Sequence, residues 1–271
     1  MPPRALSALL APRRPVVLCY HGVGRTSTAE DPHFLRVPPG RFRAQVELLL
    51  NADYRFVRVS ELGAQIRDGG SLHGLAALSF DDGWEDNHGV VLPILRSYGV
   101  PATVFVTTGL IAKPNPWTRD GARMMNVDQL CELVAAGFEI GAHTVSHPDL
   151  SRLDQATCLQ EMTESRDTLA QIVGQSIDSF AYPYCAYGPA AVAAAQEAGF
   201  EVAVTCHGRG SWRQWEVKRA AITGKDGLLS FLLKIHYRYD PLFNSPAGRT
   251  VRELTRSTRS HARQLMERRG S

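Results

Sequence analysis

The chain has 271 residues, 44% of them hydrophobic and 21% charged, with a formal net charge of +3. That length builds one large α/β domain or two small ones, and the composition is that of an ordinary globular protein. So small a positive balance gives no general case for nucleic acid, and no run of about 18 apolar residues marks a membrane span.

Met1 to Ala11 carries one arginine and a short apolar stretch before Pro12-Arg13-Arg14-Pro15. This is too short and too poorly ordered for a signal peptide, so residues 1–14 are expected to be an extension and the location cytoplasmic. From Pro15 onward, short apolar runs alternate with helical patterns. Strands are predicted at Pro15–Tyr20, Arg55–Val57, Ala76–Phe80, Ala102–Val106, Glu139–Ala142, Ser179–Tyr182 and Val202–Thr205. Helices are predicted between them at Pro39–Ala52, Ser60–Arg67, Val90–Tyr98, Asn126–Ala136, Asp154–Val173 and Pro189–Ala198, several stopping at glycine. Such alternation implies a parallel sheet with right-handed crossovers. Six or seven units, without a glycine-rich dinucleotide fingerprint, point to a single barrel over residues 15–245. The segment Leu228–Tyr239 is apolar enough to be the last core helix. From Pro246 to Ser271 the arginines at 249, 252, 256, 259 and 263 would line one helical face. That tail is expected to be a solvated or frayed helix, or disordered, with contact to an anionic membrane as the alternative. Oligomeric state is not legible.

Five cysteines, Cys19, Cys131, Cys158, Cys185 and Cys206, are odd in number and lack a Cys-x-x-Cys spacing. Reduced, mostly buried thiols are expected.

The chemistry concentrates at strand ends. Asp81-Asp82 follows the run Ala76 to Phe80 and precedes Gly83. Adjacent carboxylates repel, so the pair is either an Asp-Gly turn with a spare acid or a site where a cation or a proton transfer separates their roles. His143 and His147, in His143-Thr144-Val145-Ser146-His147-Pro148, favour the second. One carboxylate and two imidazoles make a three-ligand set for a divalent metal that keeps a position open for water. The other carboxylate is then free to act as a base. A single His-x-x-x-His among nine histidines is weak alone; with Ser79-Phe80-Asp81-Asp82-Gly83 and Phe180-Ala181-Tyr182-Pro183-Tyr184 it becomes specific.

With Tyr20-His21-Gly22-Val23, Pro101 to Phe105 and Gly137 to Gly141 in the same order, the chain resembles the polysaccharide deacetylases. These are carbohydrate esterases with the NodB homology domain. The likeness is closest to the branch that opens on a Tyr-His motif and partially de-N-acetylates bacterial exopolysaccharide, and it covers about residues 15–235. The resemblance implies an α/β fold, a single distorted (β/α) barrel of about seven strands. It implies a divalent metal, zinc first and cobalt, nickel or iron as alternatives, on Asp82, His143 and His147. It makes Asp81 the general base, the backbone N–H of Tyr184 an oxyanion donor and His21 the general acid, the alternative for His21 being a hydrogen bond to a loop carbonyl. His236 imitates a late histidine motif but follows a helical pattern, and is read as a surface or half-buried residue.

Two departures stand out. Ala181 occupies the place of an arginine that orients the base in many relatives; Arg219 would take over that task, or be a surface ion pair. Cys185 stands where glycine is usual after Pro-Tyr, which places doubt on the oxyanion geometry. Trp84, Trp117, Tyr182, Tyr184 and Tyr187 could stack on sugars or fill the core, with Trp84, Tyr182 and Tyr184 the chosen substrate contacts. Asn87 is expected to cap the following helix. The expected activity is metal-dependent removal of an N-acetyl group from a GlcNAc-type glycan, glycolipid or sugar precursor. The alternative is a catalytically impaired carbohydrate-binding or assembly protein on the same scaffold. A glycosidase would need two carboxylates flanking a glycosidic bond, about 5 Å or more apart, which a base-and-ligand pair does not supply.

Overall fold

A computed structural model describes residues 14–206 and 212–236. The basic tail, nearly all of the N-terminal extension and the end of the predicted 228–239 helix lie outside the described residues.

In chain order the elements are β1 (Val16–Tyr20), β2 (Gly22–Val23), β3 (Arg36–Val37), α1 (Pro39–Asn51), β4 (Arg55–Phe56), α2 (Val59–Arg67), β5 (Leu75–Phe80) and α3 (Leu92–Tyr98). There follow β6 (Thr103–Val106), α4 (Val127–Ala135), β7 (Glu139–Ala142), α5 (Gln155–Val173), β8 (Ser179–Ala181), α6 (Pro189–Glu197), β9 (Val202–Thr205), β10 (Val217–Lys218), β11 (Ala220–Ala221) and α7 (Leu228–Ile235). Among the described residues, every predicted strand and helix is present to within a few residues. The main sheet runs β10-β9-β8-β7-β6-β5-β1-β11 with parallel pairing throughout, and β4 pairs with the start of β5. None of the described helices is long and apolar enough to cross a membrane.

Sheet closure depends on one short segment that hydropathy does not reveal. Val217 and Lys218 register with Val204 and Thr205 of β9, while Ala220 and Ala221 register with Leu18 and Cys19 of β1. Five consecutive residues thus join the two edges of the sheet into a barrel, with Arg219 at the centre. The short β2–β3 pair, also unforeseen, ties the end of β1 to the loop that precedes α1.

Side chains alternate across a strand, so each stave sends odd and even positions to opposite faces. Val16, Leu18, Tyr20, Ala76, Leu78, Phe80, Phe180 and Tyr182 belong to the outer core beneath the helices. Val17, Ala77, Phe105, Ala181, Val202, Val204 and Val217 form the inner cluster, together with Val59 and Leu62 of α2. That helix closes the floor of the barrel. A Cβ on its Gly63 would lie 2.6 Å from Val202 Cβ, so only glycine allows this approach. Buried Thr103 and half-buried Glu139 anchor the first turn of α2 by accepting the Val59 and Ser60 N–H groups at 2.9 and 3.1 Å.

Asn87 does not cap a helix. The chain enters α3 through a π-helical turn, Asn87–Val91, and the Asn87 amide donates to the His21 carbonyl at 2.8 Å. The cysteines are less buried than expected: Cys19 and Cys158 are buried, Cys185 and Cys206 half-buried, Cys131 exposed, and all five are free thiols. His236 ends α7 and is half-buried.

Candidate active site

The inward parity of the staves delivers polar groups to the C-terminal mouth of the barrel. Cys19 is the penultimate residue of β1, Asp81 follows β5, His143 follows β7 and Cys206 follows β9, and all four line one cleft of about 600 Å³. Strict alternation would send Asp82 outward. Its left-handed backbone, φ 75°, turns it back to the same site as Asp81.

Arg219 lies behind Asp81 in the barrel interior and is 1% exposed. Its two terminal nitrogens donate to Asp81 Oδ1 at 2.6 Å and Oδ2 at 2.7 Å, and one also donates to Ser79 Oγ at 3.0 Å. The expected choice between an orienting arginine and a surface ion pair is thereby decided for position: the pair is buried and bidentate. Phe105 packs against the guanidinium at 5.5 Å. The Cys19 thiol donates to Asp81 Oδ2 at 3.3 Å. Burial by itself would raise the Asp81 carboxyl, but the Arg219 guanidinium and the His143 imidazole outweigh it and hold the group below its ordinary value.

Asp82, His143 and His147 converge, their ligand atoms all within 4.8 Å of one another. Asp82 Oδ1 lies 3.5 Å from His143 Nε2 and 3.3 Å from His147 Nε2. Trp84 Nε1 donates to Asp82 Oδ2 at 3.0 Å, while Oδ1 is buried with no hydrogen-bond partner. His143 Nδ1 is 2.7 Å from the Ala181 carbonyl, which sets Nδ1 as the donor and leaves the Nε2 lone pair facing Asp82. Two imidazole Nε2 atoms closing on a buried, unpartnered carboxylate oxygen form a group that could hold a divalent cation. Desolvation lowers His147 below its usual pKa, favouring the neutral, ligating form.

The loop carrying His147 is held in a demanding shape. Thr144 and His147 have φ of 65° and 60°. The His147 N–H donates to Thr144 Oγ1 at 3.0 Å. Glu161, on α5, accepts the Val145 N–H at 2.8 Å, the Ser146 N–H at 2.9 Å and the Ser146 hydroxyl at 2.6 Å. Glu161 escaped the sequence reading because nothing local distinguishes it from other acids on that helix.

His21 lines the cleft, and its buried Nδ1 has no hydrogen-bond partner. Tyr184 lines the opposite side, 61% exposed, with its ring edge-on to His147 at 4.5 Å. Hydrogen bonds in its turn run from Cys185 N–H to the Tyr182 carbonyl and from Ala186 N–H to the Pro183 carbonyl, both 2.9 Å, and neither uses the Tyr184 N–H. Tyr184 and Cys185 both have φ 54°, so the position where glycine was expected is indeed left-handed and is filled by cysteine.

Two expected sugar contacts are corrected. Tyr182 is fully buried on the outer face of its strand, its hydroxyl donating to the Trp215 carbonyl. Trp84 is 1% exposed, committed to Asp82 and stacked on Trp117 at 6.5 Å. Trp117, with His33 and Leu35 from the loop before β3, forms the cleft wall instead. His33 and Leu35 carried no sequence signal.

Several known proteins resemble this chain in sequence and fold. The deacetylase PplD of Streptococcus pyogenes, solved in complex with acetate, superposes with a TM-score of 0.72 at 26% identity, covering 83% of this chain and 99% of PplD. IcaB from Ammonifex degensii superposes at 0.71 with 22% identity, over 84% of this chain and 97% of that one, a likeness of fold. The poly-beta-1,6-N-acetyl-D-glucosamine N-deacetylase of Staphylococcus aureus (strain MRSA252) is 26% identical over 167 residues, 58% of this chain and 57% of that protein. Bacillus subtilis (strain 168) YxkH is 26% identical over 195 residues, 72% of this chain and 65% of YxkH. The chain therefore spans less than two thirds of the length of these curated relatives. Residues 71–203, which contain Asp81, Asp82, His143, His147 and Tyr184, match the family described as polysaccharide deacetylase.

Proposed function

We propose that this protein is a metal-dependent N-deacetylase, hydrolysing the acetamido group of an N-acetylated amino-sugar glycan to acetate and a free amine. The observation that carries the reading is the pairing of two differently committed carboxylates. Asp82 faces two imidazole Nε2 atoms at 3.3 and 3.5 Å, and Asp81 is held ionised beside it by Arg219. The S. aureus relative is an N-deacetylase and the S. pyogenes relative a deacetylase solved with acetate, and both support the same reaction class.

Asp82, His143 and His147 would hold the cation, which when bound lowers the pKa of water and polarises the amide carbonyl. Asp81 takes the proton of the attacking water. Its two hydrogen bonds from Arg219 fix the carboxylate plane and keep it from protonating at neutral pH. The Tyr184 N–H, free of the turn's own bonds, donates to the oxygen that gains charge as the carbonyl carbon becomes tetrahedral. His21 is the proton donor to the departing amine, with the Asn87 amide on its carbonyl steadying its backbone.

The test is acetate release from N-acetylglucosamine oligomers with added Zn²⁺, Co²⁺ or Ni²⁺. Turnover should disappear on chelation and in Asp82→Asn, and fall by at least about a hundredfold in Asp81→Asn. A wild-type protein that binds these glycans and metal but releases no acetate would instead be the impaired, binding form of the scaffold.

A further inference from the structure

We propose that a second cleft, on the far side of Cys185 from the Asp82–His143–His147 cluster, is a binding subsite for the sugar units next to the one being deacetylated. This rests on the deacetylase reading and extends it to the length and path of the substrate.

The barrel imposes a direction. In the ring of staves, β8 stands across from the β1–β5 pair. The β1–β5 side of the mouth is walled. Arg36 pairs with Asp86 and with Asp120, binding three loops together, and the Arg119 N–H donates to the Glu30 carbonyl. Trp84 and Trp117 stack beneath this strap. On the β8 side no comparable strap appears among the described residues. There the wall is Tyr184 and Cys185, and Cys185 lines both the catalytic cleft and a second one of about 740 Å³.

The second cleft has the chemistry of a carbohydrate site. Tyr187 in its wall has one ring face covered by Tyr182, centroids 4.7 Å apart and planes at 22°. Its hydroxyl donates to Glu216 Oε1 at 3.1 Å, which fixes the ring. A ring packed on one face and held at its edge offers its other face to the C–H groups of a pyranose at little entropic cost. Val192 and Ala193 of α6 give an apolar floor, and Ser151, Gln196 and Glu216 supply hydroxyl, amide and carboxylate groups at its edges. Among the described residues no lysine or arginine lines it, so the chemistry suits an uncharged sugar chain better than a nucleotide or phospholipid head group.

The experiment compares β-1,6- and β-1,4-linked N-acetylglucosamine oligomers from dimer to hexamer, using full-length protein loaded with Zn²⁺. Acetate release and calorimetric binding are both measured, on wild type, Ala193→Trp and Gln196→Ala. Ala193→Trp fills the cleft; Gln196→Ala removes one polar edge from an exposed helix position. The expected result is a kcat/KM that rises at least about tenfold from dimer to hexamer in wild type. Both variants should lose part of that gain and bind hexamer more weakly, with dimer kinetics unchanged. Flat length dependence, or hexamer kinetics and binding unaltered in Ala193→Trp, overturns the subsite while leaving the deacetylase reading intact. Hexamer binding that weakens in both variants without any acetate release supports the subsite and overturns the deacetylase reading.

Discussion

Arg219 and Asp81 form a two-pronged ion pair inside the barrel, at 2.6 and 2.7 Å, although 138 residues separate them in the chain. The same segment that carries Arg219 joins β9 to β1. Barrel closure and orientation of the proposed base are therefore one structural event. Arg219 grips the carboxylate of Asp81 where position 181 carries only alanine, while the main-chain carbonyl of Ala181 faces His143 Nδ1.

Removing one partner of a buried pair strands the other. Arg219→Ala should destabilise the protein by about 3–5 kcal/mol and reduce acetate release by at least about a hundredfold, read by urea denaturation and a coupled acetate assay. Arg219→Lys keeps the charge but cannot span both carboxylate oxygens, and should recover stability more than activity. Wild-type stability in Arg219→Ala would contradict the buried pairing.

Glu161 touches no proposed ligand, yet it holds the Val145 and Ser146 N–H groups of the loop between His143 and His147. Glu161→Ala should weaken Co²⁺ or Zn²⁺ binding by about 10–100-fold, measured by titration and by the Co²⁺ absorption spectrum. Glu161→Gln, which can still accept hydrogen bonds, should fall between. Unchanged metal affinity in the alanine variant would show that the Thr144–His147 contact suffices.

Asp86 gives a pH dependence of stability. Burial pushes its carboxyl up to about 6, against the pull of Arg36. The folded protein then binds this proton more tightly than the unfolded chain, so the contribution of Asp86 to stability is full below about pH 4 and is lost as pH rises through about 6. The loss is on the order of 3 kcal/mol for a shift of about two pKa units. Urea midpoints between pH 4 and 7 should show this downward slope in wild type, and Asp86→Asn should flatten it. An identical slope in both proteins would assign it elsewhere.

Cys185 occupies a left-handed position, φ 54°. Glycine adopts that conformation without a Cβ clash, so Cys185→Gly should stabilise the fold by roughly 1 kcal/mol, checked by denaturant unfolding. Loss of stability would mean that thiol packing in the cleft outweighs backbone strain.

Much of the molecule was legible in one dimension. Strands such as Val16–Tyr20 and Leu75–Phe80 are continuous apolar runs because both faces of a barrel stave are buried. The helices announce themselves by spacing and by caps such as Asn126 and Asp154. Asp81-Asp82, His143 and His147 were legible because ligand sets need fixed residue types at strand ends.

Tertiary structure alone decided the rest. Parity put Tyr182 under the helices and Asp81 in the barrel, and a left-handed turn at Asp82 reversed what parity would have done with the second carboxylate. Trp84 was lost as a sugar platform because it supports Asp82 from behind. Arg219 and Glu161 act across 138 and 15 or 16 residues of chain, distances over which local pattern carries no information. What the sequence by itself determined is which residue types the chemistry requires and the order in which they arrive. Which of them face the same few ångströms of space depends on strand register, barrel closure and backbone handedness, properties of the packed whole.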